Sequence, residues 1–172
     1  AFVSHSWHDD PWAKWKALQK WRGEFAQEYE REPGVWLDKC CIDQNNIELD
    51  LRCLPVFLHG CRRMVVFCGI TYLRRLWCIM EIFTFIHMSR GLDRIEFILV
   101  LREGHEAEDA AEIAEAFASF DARECECFSA ADKDRMLSII HNAFGDVVSF
   151  NREVSAIFEQ ANWQEVCLVR SE

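Results

Sequence analysis

The chain has 172 residues, 51% of them hydrophobic and 13% aromatic, with seven tryptophans; this excludes a disordered chain and is enough to bury one sizeable core. The formal net charge is -10, and between Glu103 and Glu126 nine acids stand against one arginine, so that this segment carries -8 and the remainder -2. The acid is concentrated on what reads as a solvated helix face, which argues against nucleic-acid binding through a basic face.

No apolar run reaches the ~20 residues of a membrane span, and no signal peptide is visible. The nine cysteines are odd in number and irregular in spacing, without a Cys-x-x-Cys pair, which suits a reduced cytoplasmic protein better than a disulfide scaffold. Cys53, His59 and Cys61 match no familiar zinc spacing, so no metal is expected. Residues 1–172 read as a single domain, and because Ala1 already sits in a strand pattern the expectation is a fragment of a longer protein.

In chain order, Phe2-Val3-Ser4 is the end of an apolar strand and Ser4 to Asp10 a polar loop. Asp10-Pro11 opens a helix to about Tyr29, with Trp15, Leu18, Trp21, Phe25 and Tyr29 as a packing stripe. Glu32-Pro33-Gly34 breaks it, and Val35-Trp36-Leu37 is a short strand ending at Asp38. A polar loop from Lys39 to Glu48 precedes a helix from about Ile47 to Gly60. Met64 to Cys68 is a continuous apolar run, the pattern of a central parallel strand. Ile95 to Leu101 is another strand, Glu106 to Phe120 an acidic helix, and Cys125 to Phe128 a short edge strand. Ser129 caps a helix to Phe144 with a stripe of Met136, Ile139, Ile140 and Ala143, and Val154 to Trp163 is a final helix.

The chain is organised around Leu76 to Met88, thirteen residues with one formal charge, Glu81, before the helix stop Ser89-Arg90-Gly91. A helix apolar nearly all round is buried on most sides, and a lone carboxylate in it is paired, protonated or facing a cleft. Trp77, Glu81 and Phe85 lie one turn apart on one face, an acid between two aromatic rings. A structural ion pair with Arg62, Arg63, Arg74 or Arg75 is the competing explanation. Strands alternating with helices predict an α/β fold with a parallel sheet covered on both faces, and ligands in such folds bind beyond the carboxyl ends of the strands. The loops after Ser4, Asp38 and Cys68 converge there, beside Glu81.

Phe2-Val3-Ser4-His5-Ser6 with Asp9-Asp10, then Val35 to Asp38, then Val65 to Cys68, then Tyr72 to Glu81 with its Trp-x-x-x-Glu spacing, together resemble the Toll/interleukin-1 receptor (TIR) domain family, most closely its plant, bacterial and protist catalytic type. The loop Ile70-Thr71-Tyr72-Leu73 departs from the family's Ser- and Asn-rich version, and Cys40 to Gln44 is closer to TIR-like proteins of protists and to fungal heterokaryon-incompatibility proteins than to animal receptors. The resemblance implies a flavodoxin-like three-layer fold with five parallel strands. It implies an NAD+ glycohydrolase that cleaves the nicotinamide–ribose bond to give nicotinamide and linear or cyclic ADP-ribose, in immune or cell-death signalling. NAD+ is then a substrate and no cofactor is needed. Glu81 is the catalytic residue so implied. Ser4, His5, Ser6, Trp7, Asp38, Lys39 and Trp77 are placed to line the substrate, and self-association with other TIR domains completes the site. Two alternatives stay open: a non-catalytic TIR interaction module, and a sensor that binds a cyclic ADP-ribose-like nucleotide without turnover.

Overall fold

Three short strands set the architecture through the side-to-side alternation of their residues. The computed structural model describes residues 1–41 and 53–160. Strands β1 (Phe2–His5), β2 (Met64–Cys68) and β3 (Ile95–Leu99) form a parallel sheet in that order, with Phe2 opposite Met64 and Met64 opposite Ile95. Phe2, Met64, Val66, Cys68 and Leu99 point to one face; Val3, Val65, Phe67 and Ile98 point to the other. All five residues of β2 are buried, as its unbroken apolar run requires of a strand covered on both sides.

Among the described helices, one face is covered by α1 (Pro11–Tyr29), through Ala13 and Trp21. The other carries the large core, to which α3 (Leu54–Gly60), α4 (Leu76–Phe85), α5 (Glu106–Ala118), α6 (Ala130–Phe144) and α7 (Val147–Gln160) contribute. A four-residue helix, α2 (Asp38–Cys41), follows the stretch around Trp36. No described helix is long and apolar enough to cross a membrane.

The α/β character and the parallel sheet are as expected, but the described residues form three strands where five were expected. The second expected strand shrinks to one bridge, Trp36 opposite Phe2, with Val3 N–H donating to Trp36 O at 2.9 Å and Trp36 N–H to Ala1 O at 2.8 Å. Its extended stretch is squeezed between Pro33-Gly34 and α2, whose first turn already bonds Cys40 and Cys41 N–H to Leu37 O. Trp36 still stacks on Phe2, ring centres 4.5 Å apart. The last expected strand leaves the sheet altogether: Glu126 bridges Arg75, bonding to Arg74 O and Leu76 N–H, so it braces the start of α4.

Helix ends follow their signals. Asp10 caps α1 by accepting from Ala13 N–H at 2.6 Å, with Pro11 in the first turn, and Ser129 caps α6 by accepting from Asp132 N–H at 3.1 Å. α4 runs into a π turn, Ile86–Arg90, and stops at Gly91, whose φ of 71° suits glycine. α7 begins seven residues before the expected Val154, capped by Asp146, and buries Phe150, Val154, Ile157 and Phe158. Trp163 and residues 47–52 of the helix expected from Ile47 to Gly60 lie outside the described residues, and the rest of that helix is α3. Four stripe positions are corrected: Trp15, Tyr29, Ile139 and Ala143 are exposed, Trp15 to 53% and Ile139 to 48%.

Candidate functional site

Ser4 shares the sheet face of Phe2, so its hydroxyl points into the large core, where it is fully buried. A buried hydroxyl needs partners. Ser4 Oγ donates to Glu81 Oε2 at 2.5 Å and lies 2.5 Å from Tyr72 OH; Tyr72 OH in turn reaches Cys78 O at 3.3 Å. Cys78 and Glu81 sit three residues apart on α4, and Cys78 Sγ donates to His5 O at 3.5 Å, so this stripe is pressed against the end of β1.

Among the described residues no cation pairs with Glu81. Arg74 binds Glu112 at 2.6 Å, Arg75 reaches Glu126 at 3.5 Å, and Arg63 donates to Tyr29 OH. Glu81 keeps part of its surface open to solvent, yet burial of its carboxyl group pushes its pKa up to about 8; the Ser4 hydrogen bond opposes that rise and the nearby Asp38 charge adds to it. Burial likewise drives the Tyr72 hydroxyl and the Cys78 thiol well above their ordinary values. The chain Glu81–Ser4–Tyr72–Cys78 O therefore has two proton arrangements. With Glu81 ionised, Tyr72 donates to Ser4 and Ser4 to the carboxylate. With Glu81 protonated, the carboxyl donates to Ser4, Ser4 to Tyr72, and Tyr72 to the carbonyl.

The remaining candidates gather at the same strand ends. Trp7 Nε1–H donates to Asp38 Oδ2 at 2.5 Å, and His5 Nε2 is 3.8 Å from Asp38 Oδ1. Burial lowers the His5 pKa, against the pull of Asp38. Lys39 Nζ stands 3.3 Å from the centre of the Trp7 ring. Ser6 Oγ meets Thr71 Oγ1 at 2.7 Å, joining the first and third loops. Trp77 is half-buried against the large core, and Phe85 is wholly inside it. A cavity of about 460 Å³ lies elsewhere, between Leu73-Arg74, α5 and Phe120 to Cys125, and none of the sequence-nominated residues lines it.

Sequence reasoning passed over three residues. Asp9, 3% exposed, accepts from Gly69 N–H, Thr71 N–H and Thr71 Oγ1, tying the loop after β1 to the loop after β2. Lys14 Nζ donates to Ser6 O at 2.6 Å. Tyr72 completes the Glu81 chain. The doubled Asp9-Asp10 was a usable signal, since only one of the two can cap α1; Lys14 and Tyr72 gave none. No protein-family model, curated protein or solved structure matches this chain.

Proposed function

We propose that this chain is a TIR-type NAD+ glycohydrolase with Glu81 as its catalytic residue. The observation that carries this reading is an acid on α4, hydrogen-bonded to Ser4, without a cationic partner among the described residues, at the carboxyl ends of β1 and β2. An acid held only for stability is normally paired or replaced, so a desolvated, unpaired one marks a functional position. The order Trp36–β1–β2–β3 is compatible with the flavodoxin-like arrangement of such domains. Eight described cysteines are free thiols, which suits a cytoplasmic setting.

In the proposed reaction the C1′–N bond of NAD+ breaks and its electron pair stays on the ring nitrogen, so nicotinamide leaves neutral and needs no acid. Water bonds to C1′ and gives up its proton, yielding ADP-ribose. The barrier lies in the positive charge that develops on the ribose, and the Glu81 carboxylate stabilises it strongly in a water-poor site. Ser4 and Tyr72 hold that carboxylate in place. A burial-raised acid is largely protonated at pH 7, but a bound pyridinium cation favours its ionised form. Cation binding and proton release from Glu81 are thus coupled.

The test is nicotinamide release from NAD+ at high protein concentration, read by chromatography, beside Glu81→Gln. Release that disappears in the variant supports the reading; release that survives refutes the assignment of Glu81. A second reading, a TIR docking module, is favoured by Trp12 and Trp15, 62% and 53% exposed on α1. A folded, concentrated wild-type protein that self-associates and releases no nicotinamide would favour it.

A further inference from the structure

The loop cluster at the strand ends holds a cation on an aromatic face. Lys39 Nζ is 3.3 Å from the Trp7 ring centre, inside the range in which an ammonium is drawn to the electron-rich face of an indole. The indole is held by its edge: Nε1–H donates to Asp38 Oδ2, while Asp38 Oδ1 accepts from the Lys39 backbone N–H at 2.6 Å. Trp7 is nonetheless 38% exposed, and Lys39 lies at the surface.

This is how a site for a ligand cation is built: a fixed aromatic face with a carboxylate beside it. Its present occupant is replaceable. A lysine ammonium sits on a flexible four-carbon stem and is strongly hydrated, so it gives up a surface position readily. A planar cation covers more of the indole face than an ammonium does and gains dispersion as well as charge attraction. The neighbouring charges agree. Burial keeps His5 in its neutral form, so it adds no repulsion, and Lys14 is directed away to the Ser6 carbonyl.

We propose that Trp7, Asp38 and Lys39 form a binding site for a planar organic cation, in which Lys39 covers the Trp7 face until the ligand displaces it. Only the identity of the natural ligand rests on the glycohydrolase reading: there the cation is the nicotinamide ring of NAD+, and Lys39 is a gate on substrate entry.

The test is titration of the whole chain with 1-methylnicotinamide, a cation that cannot be cleaved at a ribose, and with neutral nicotinamide. Binding is read from the Trp7 indole N–H resonance, assigned by its loss in Trp7→Phe. The cation is expected to bind about three- to tenfold more tightly than the neutral ring, the range a partly exposed cation–π contact supplies. Lys39→Met is expected to tighten cation binding several-fold, and Trp7→Leu, which lacks the reporting indole and is followed by titration calorimetry, to abolish it. Equal binding of the two probes overturns the proposal, and so does weaker binding in Lys39→Met, which would make Lys39 a ligand contact. Because the probes are not turned over, the result is independent of catalysis. Tighter binding in Lys39→Met without nicotinamide release from NAD+ upholds the cation site and removes the glycohydrolase reading. Release from NAD+ with no preference for the cation does the reverse.

Discussion

Replacing Glu81 by Gln tests the site through stability, without assuming any reaction. Gln keeps the size of the side chain and an oxygen for Ser4 Oγ to donate to, but it does not titrate. The carboxyl has an ordinary value of 4.5 and is held at about 8 in the folded chain. The folded state therefore keeps a proton that the unfolded state releases between these values. The stability this contributes is complete below about pH 4.5 and is lost as pH rises through 8. At about 1.4 kcal/mol per pH unit the interval sets a ceiling of roughly 5 kcal/mol. Glu81 retains some contact with water, and screening reduces the expected effect to about 2–3 kcal/mol. Urea unfolding of both proteins at intervals from pH 5 to pH 9 measures it, and groups that titrate alike in both cancel. Glu81→Gln should gain on the wild type steadily across this range. A difference flat to within about 0.5 kcal/mol would show that burial does not govern the carboxyl. A wild type that gains stability as pH rises would show that Glu81 is held as an anion by a cation, the explanation set aside above.

The same proton should appear in kinetics: kcat/KM for NAD+ is expected to rise with pH through about 8 as free Glu81 ionises, checked by initial rates from pH 6 to pH 9.5. Tyr72→Phe removes the hydroxyl that supports Ser4 when Glu81 is ionised, so the midpoint of that profile should move up by roughly half a pH unit at a stability cost of about 1 kcal/mol. Asp9→Ala strands the buried Gly69 N–H and should cost about 2–4 kcal/mol by urea unfolding. Gly69→Ala places a Cβ 2.4 Å from Asp9 Cγ and should cost about 1–3 kcal/mol in the same assay, whereas Gly23→Ala, with open space around it, should not destabilise.

The elements that could be read from the sequence are those whose signal is local. Asp10-Pro11 and Ser129 cap helices because a short polar side chain reaches the free N–H groups of its own first turn. The run Met64 to Cys68 could be read as a doubly covered strand because burial on both faces removes alternation. Strand length could not be read for the segment around Trp36. Val35, Trp36 and Leu37 have the composition of a strand, but the onset of α2 at Asp38 leaves room for one ladder position. Cys125 to Phe128 failed for a different reason. Its pairing partner is decided by tertiary contacts, where Asp121 is held by Arg123 and Asn151 and Cys125 Sγ donates to Leu73 O at 3.2 Å, and period-two patterning carries none of that information.

The site divides along the same line. That Glu81 was out of place in an apolar helix followed from composition alone, and the convergence of three loops at the strand ends followed from the alternation of strands and helices. Its partner did not, because Trp77 and Phe85 are its neighbours on the helix surface whereas Ser4 comes from β1, distant in sequence, and brings Tyr72 with it. The difference changes the chemistry. An acid between two rings is merely desolvated. An acid bonded to a buried Ser–Tyr pair has somewhere to send or receive a hydrogen bond in either protonation state, so it can be carried through ionisation without stranding a buried polar group. The residues that tie the loops, Asp9 and Ser6 to Thr71, keep β1 and β2 ends in step and thereby fix the Ser4–Glu81 distance. The rigidity of that frame and the exposure of Trp7 and Lys39 at its rim suit different tasks in the proposed site: there the interior would set when Glu81 is charged, and the rim would select which cation comes near enough to charge it.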